Sequence, residues 1–115
     1  MPRQRGPRVV AVASSRGERV DQAFEEAGDF YLFEISPAAT SFIGRQPCPF
    51  SLPGATPVET VRLLRDCDLV LCAGIGAQCR RLLDGLGVLC RLEYAGEQLQ
   101  QAVVSAGRGG WANQR

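Results

Sequence analysis

Five cysteines give this chain its capacity for metal chemistry, and three of them, Cys67, Cys72 and Cys79, fall within one stretch of thirteen residues. That stretch reads Cys67-Asp68-Leu69-Val70-Leu71-Cys72-Ala73-Gly74-Ile75-Gly76-Ala77-Gln78-Cys79. Thiolate is the natural ligand of iron–sulfur clusters. Cys72 lies in an apolar run, Leu69 to Ala73, of the length of a strand buried on both faces. Gly74-Ile75-Gly76 follows, and then a helix with apolar positions Cys79, Leu82, Leu83 and Leu86 at i, i+3, i+4 and i+7. In open α/β sheets ligands collect at the carboxyl ends of strands, where such turns lie. Gly74 and Gly76 leave backbone N–H groups bare to meet an anion at the helix N-terminus. Arg80 and Arg81 follow in the first turns. They either supplement those N–H groups around a negative ligand or face water; a cation near a helix N-terminus is disfavoured by the helix dipole, which counts against a purely helix-stabilising role.

The candidate site is therefore Gly74, Ile75, Gly76 and Arg80 around an anionic cofactor, with Cys72, Cys67 and Cys48 as metal-ligating thiols. Cys48 lies in a proline-rich segment, Pro47 to Pro57, and is expected to be an exposed thiol on a loop able to fold over a ligand. Each choice has a plainer alternative. A buried cysteine packs as a small hydrophobe, and tight turns take glycine whether or not anything binds. Cys79, on the apolar stripe of its helix, and Cys90, alternating within the last strand, read as core.

Absences narrow the chemistry. The chain has no histidine, and its basic residues are all arginine. Ser-His-Asp and Cys-His pairs and an HExxH zinc site are excluded, as are a Walker A loop and Schiff-base chemistry. No CxxC occurs, and five irregularly spaced cysteines are not a secreted disulfide framework. Catalytic residues are expected to be absent. At 115 residues and a net charge of +1 the chain is one domain with no global pull toward nucleic acid or membrane. No apolar run approaches the roughly 20 residues that span a bilayer. Residues 9–13 are shorter than a signal peptide's apolar region, so a cytoplasmic location is expected.

The elements that must position the site read in order as β-(turn)-β-β-α-β-α-β-α. Residues 1–7 form a tail. Arg8 to Ser14 is a nearly continuous Val/Ala strand, hence central. Val20, Ala23, Phe24 and Ala27 have helical spacing, with Asp21 as a possible N-cap. Asp29 to Ser36 is aromatic and β-branched, Pro37 to Ala39 make a turn, and Thr40 to Gln46 is the hairpin partner. Thr56-Pro57-Val58-Glu59 starts a helix with a capping box and Pro at N1, its buried side being Val58, Val61 and Leu64. The glycine turn and its helix follow, with Gly87 as the residue after the cap. Val88 to Glu93 is the last strand, and Leu99, Ala102, Val103 and Ala106 mark the last helix. Residues 107–115, with Trp111 exposed, form a second tail around a domain of residues 8–106. The expected fold is α/β: three layers, α/β/α, around a mixed five-stranded sheet, with the Cys72 strand beside the first.

An ordered series of segments spans roughly residues 8 to 104: Val-Ala-Val-Ala-Ser-Ser, Val-Asp-Gln-Ala-Phe, Phe-Tyr-Leu-Phe-Glu-Ile, Leu-Leu-Arg-Asp-Cys-Asp-Leu-Val-Leu-Cys-Ala-Gly-Ile-Gly and Leu-Leu-Asp-Gly-Leu-Gly-Val. The series resembles the nitrogenase iron–molybdenum cofactor biosynthesis family, the small domain of NifX-type carriers also found at the C-terminus of NifB. The resemblance implies a ribonuclease H-like fold and a role in carrying an iron–sulfur or iron–molybdenum cofactor precursor. Its implied partners are a cofactor synthase or an apo-nitrogenase-type protein. The family writes Val-Asp-Gln-His-Phe-Gly, with the histidine as a cluster ligand; this chain has Ala23 and Glu25 at the histidine and glycine positions. Nuclease chemistry needs carboxylates on the central strands. Arg8 to Ser14 has none, and Asp68 lies at the wrong end of its strand. Three readings stay open: a precursor carrier, a cluster-free protein-interaction module of the same fold, and a small-anion or nucleotide binder at the glycine turn.

Overall fold

The computed structural model describes residues 8–36, 39–48 and 56–109. The two expected tails at 1–7 and 110–115, with Trp111, lie outside the described residues, as do positions 37–38 of the turn and 49–55 of the proline-rich loop. Five strands run β1 (Arg8–Ala13), β2 (Asp29–Ile35), β3 (Thr40–Pro47), β4 (Leu69–Leu71) and β5 (Leu89–Arg91), with helices α1 (Pro57–Leu63), α2 (Ala77–Gly85) and α3 (Leu99–Gly109). The sheet order is β3-β2-β1-β4-β5. β1 pairs antiparallel with β2 and parallel with β4, and β4 pairs parallel with β5. This is the mixed five-stranded sheet expected from the sequence, with the Cys72 strand beside the first.

β1 is central because both its faces are apolar. Val10 and Val12 pack with Leu69, Leu71, Phe33 and the buried side of α3. Ala11 and Ala13 pack with Phe24, Phe30, Val70 and the buried sides of α1 and α2. Helices thus cover both faces in three layers. All four apolar positions of α3, Leu99, Ala102, Val103 and Ala106, are buried, and the helix runs on to Gly109, past the expected start of the tail.

α1 begins as expected. Thr56 Oγ1 accepts from the Glu59 N–H, and the Glu59 carboxylate accepts from the Thr56 N–H at 3.2 Å. Its buried side is Thr60, Val61 and Leu64, whereas Val58 is 43% exposed. The helix is turned so that the Thr60 hydroxyl meets the Cys48 thiol at 3.9 Å, which lets a polar residue take the buried position. Thr56→Ala is expected to cost about 1 kcal/mol, read as a melting temperature lowered by roughly 4 °C; an unchanged melting curve would show that this cap contributes nothing.

α2 stops in a Schellman arrangement. Gly87, at φ 79°, donates to Asp84 O, and Val88 donates to Leu83 O, both at 3.0 Å. This ending leaves Leu86, expected on the buried stripe, 46% exposed. The short helical turn expected between Val20 and Ala27 is a 3-10 turn, Phe24–Glu26, and Asp21 caps nothing; its carboxylate accepts from Ser15 N and Oγ at 2.8 and 2.7 Å. The backbone before the turn is extended because it pairs with the chain after β4: Ala73 N–H donates to Gln22 O at 2.9 Å and Phe24 N–H to Gly74 O at 2.8 Å.

The outer strand β3 is bulged. Its register against β2 shifts between Leu32 and Phe33, where Gly44 adopts φ 149°. No helix among the described residues is long and apolar enough to cross a membrane.

Candidate functional site

The carboxyl end of β4 is assembled from four parts of the chain. β4 ends at Leu71, and Cys72 follows it fully buried. On β5, Cys90 is in register with Val70, so Cys72 and Cys90 lie diagonally on the same face of neighbouring strands. Their sulfurs stand 3.7 Å apart. Two sulfurs bound to one tetrahedral metal at ~2.3 Å are about 3.8 Å apart, so the pair already has the spacing of two thiolates on one centre.

Of the two thiols, Cys72 is the harder to deprotonate. Its hydrogen bond to Cys90 and its burial both push the Cys72 thiol up. Cys90 is lowered, first by accepting that bond and then by the Arg80 guanidinium, against the opposing effects of burial, Asp84 and Glu25. Arg80 reaches over β5, its guanidinium donating to Cys90 O at 3.4 Å. Cys90 is half-buried and Arg80 exposed, so the dithiol has one sealed and one approachable sulfur.

The glycine turn meets the third part. Ala23 forms a parallel bridge with Gly74, which brings it beside the turn. Neither Gly74 nor Gly76 has a positive φ; a Cβ at Gly76 would stand 2.9 Å from the Glu25 carboxylate, which would have to swing aside to admit it. The anion position at the start of α2 is thus already taken: Gly76 N–H donates to Glu25 Oε2 at 2.8 Å. Burial pushes the Cys79 thiol up to about 12, and the neighbouring Glu25 carboxylate adds to the rise. Ile75 is half-buried and packs on the core beneath the turn.

Two expected ligands lie elsewhere. Cys48 is not an exposed loop thiol but 3% exposed: its N–H donates to Gly28 O at 2.9 Å, continuing the β2–β3 pairing, and its sulfur sits under α1. Cys67 lies at the opposite end of β4 from Cys72, half-buried, its thiol pushed up to about 11 by burial and by Asp68 and Asp66. Asp68 is structural, since its Oδ2 accepts from the Val9 N–H at 2.8 Å and ties β4 to β1. Among the described residues, no group of three or more Cys, Asp or Glu side chains is placed to hold a metal ion. The site therefore offers two thiols, an arginine and a turn with its own carboxylate in place.

A family model described as dinitrogenase iron-molybdenum cofactor matches residues 7–109. The FeMo cofactor biosynthesis protein NifB of Azotobacter vinelandii is 32% identical over 110 residues, a match covering 89% of this chain and 22% of that protein. NifB of Herbaspirillum seropedicae is 32% identical over 102 residues, covering 84% of this chain and 19% of that protein. The chain thus spans about a fifth of the length of these curated relatives. Among solved structures, the crystal structure of PH0822 superposes with a TM-score of 0.63 at 19% identity, over 89% of this chain and 91% of that one. The NMR structure of a Thermotoga protein described as a NifB protein of the DUF35 family gives 0.59 at 17% identity, over 89% of each chain. Both likenesses concern the fold.

Proposed function

Because the chain belongs to the dinitrogenase iron-molybdenum cofactor family, we propose that it serves iron–molybdenum cofactor biosynthesis as a non-enzymatic carrier. Its cargo is an anionic iron–sulfur or iron–molybdenum precursor, received from a cofactor synthase or delivered to an apo-nitrogenase-type protein in the cytoplasm. The observation that carries this reading is the 3.7 Å separation of the Cys72 and Cys90 sulfurs. Cys72 and Cys90 would hold one metal of the cargo, Arg80 would offset its negative charge, and Gly74, Ile75 and Gly76 would line its side. Two protein ligands make a weak grip, which suits cargo that must leave again.

A second reading has its own observation. Ala23 supplies no ligand, and Glu25 fills the N-terminus of α2, as in a module of this fold that docks on a partner without a cluster. Anaerobic incubation with ferrous iron and sulfide, followed by iron and sulfide analysis after desalting, separates the two. The carrier reading predicts retained iron that falls at least fivefold in Cys72→Ala and in Cys90→Ala and is unchanged in Cys67→Ala. Absence of retained iron in the wild type would favour the docking module.

A further inference from the structure

The same two sulfurs can do something that needs no cargo. We propose that Cys72 and Cys90 are a redox-active dithiol that closes reversibly to a disulfide, with a hydroperoxide as oxidant and a soluble dithiol as reductant. The sulfurs face each other at 3.7 Å across neighbouring strands. Bond formation brings them to ~2.05 Å. Because the two cysteines are diagonal neighbours, closure draws β5 toward Cys72, and β5 can move as the outermost strand, three residues long and paired only with β4. The order of events follows from exposure. Cys90 keeps solvent contact beneath the Arg80 guanidinium, whereas Cys72 is fully buried behind it.

Cys90 sulfur, as the thiolate, attacks one peroxide oxygen. The O–O bond breaks, one oxygen stays on sulfur as a sulfenic acid, and the other leaves as alkoxide, or as hydroxide from hydrogen peroxide, and is protonated. Cys72 sulfur then attacks the sulfenic sulfur. The S–S bond forms, the S–O bond breaks, and the departing hydroxide leaves as water with the Cys72 proton. Two thiols lose two electrons in all, and the hydroperoxide is reduced to water and an alcohol, or to two waters when it is hydrogen peroxide. A dithiol reverses this by exchange through a mixed disulfide. Closure consumes both sulfurs of the carrier site, so the oxidised chain would be unable to ligate a metal there.

The test uses iron-free, fully reduced wild-type chain with chelator present, so that its result is independent of cargo binding. One equivalent of hydrogen peroxide is added, free thiols are alkylated, and the protein is digested without reductant for mass spectrometry. The expected result is loss of two of the five thiols, a peptide pair joined through Cys72 and Cys90, and full recovery of thiols with dithiothreitol. In Cys72→Ser, Cys90 should instead be trapped as a sulfenic acid by dimedone. Five retained thiols, a disulfide between other cysteines, or dimedone on another residue in that variant would each overturn the proposal.

Discussion

Phe24→Ala is expected to destabilise the protein by about 3–5 kcal/mol, the cost of deleting a fully buried aromatic ring. Phe24 has no exposed surface, and its ring centre lies 5.2 Å from that of Phe30. A small domain has only about 5–15 kcal/mol of stability in total, so this one change removes a large share. The effect reaches the site as well, since the Phe24 N–H is bonded to Gly74 O and the ring anchors the turn that brings Ala23 beside Gly74. Denaturant unfolding of the variant measures it. A loss below about 1 kcal/mol would mean that the turn is held by its backbone pairing, with the ring contributing little.

Joint replacement Ala23→His and Glu25→Gly is expected to raise iron retention by roughly tenfold, the equivalent of about 1.4 kcal/mol. Two changes act in one direction. Histidine beside Gly74 adds a neutral nitrogen ligand to a site that has only two thiols. Removal of Glu25 takes away a carboxylate that fills the start of α2 and would repel an anionic cargo; at a few ångströms, partly shielded from water, that repulsion is on the order of 1 kcal/mol or more. The lost hydrogen bond to the Gly76 N–H costs little, because Gly76 is exposed and water replaces the carboxylate. Iron titration of the apo forms, with Glu25→Gln as the variant that removes only the charge, checks both parts. Equal affinity in the wild type and the double variant would place the cargo away from this turn.

What the sequence made legible was what depends on near neighbours. The i, i+3, i+4, i+7 spacing from Leu99 to Ala106 located α3 and its buried side, and Thr56 with Glu59 located the start of α1, because helices and caps form from residues a turn apart. Both faces of β1 could be read from its unbroken Val/Ala run. The dithiol could not. Cys72 and Cys90 are 18 residues apart, and only the pairing of Val70 with Cys90 sets them side by side. Glu25 and Gly76 meet across 51 residues. Local signals also misled where tertiary pairing outweighed them. Prolines around Cys48 suggest exposure, yet its backbone extends the β2–β3 ladder. The helical spacing from Val20 to Ala27 yields one 3-10 turn and no more, because the backbone before it is paired beside Gly74.

The bulge at Gly44 has a consequence for how these molecules behave in a crowded solution. β3 is an outer strand of eight residues with Phe42 and Ile43 exposed at 56% and 49%. A flat strand of that length and character would be a template on which a second chain could lay its own strand, and then a third. The register slip beside Gly44 cuts the outer row of N–H and C=O groups into two short runs that no straight partner strand can follow from end to end. The bulge thus interrupts this edge as a pairing template while leaving Phe42 and Ile43 exposed beside it.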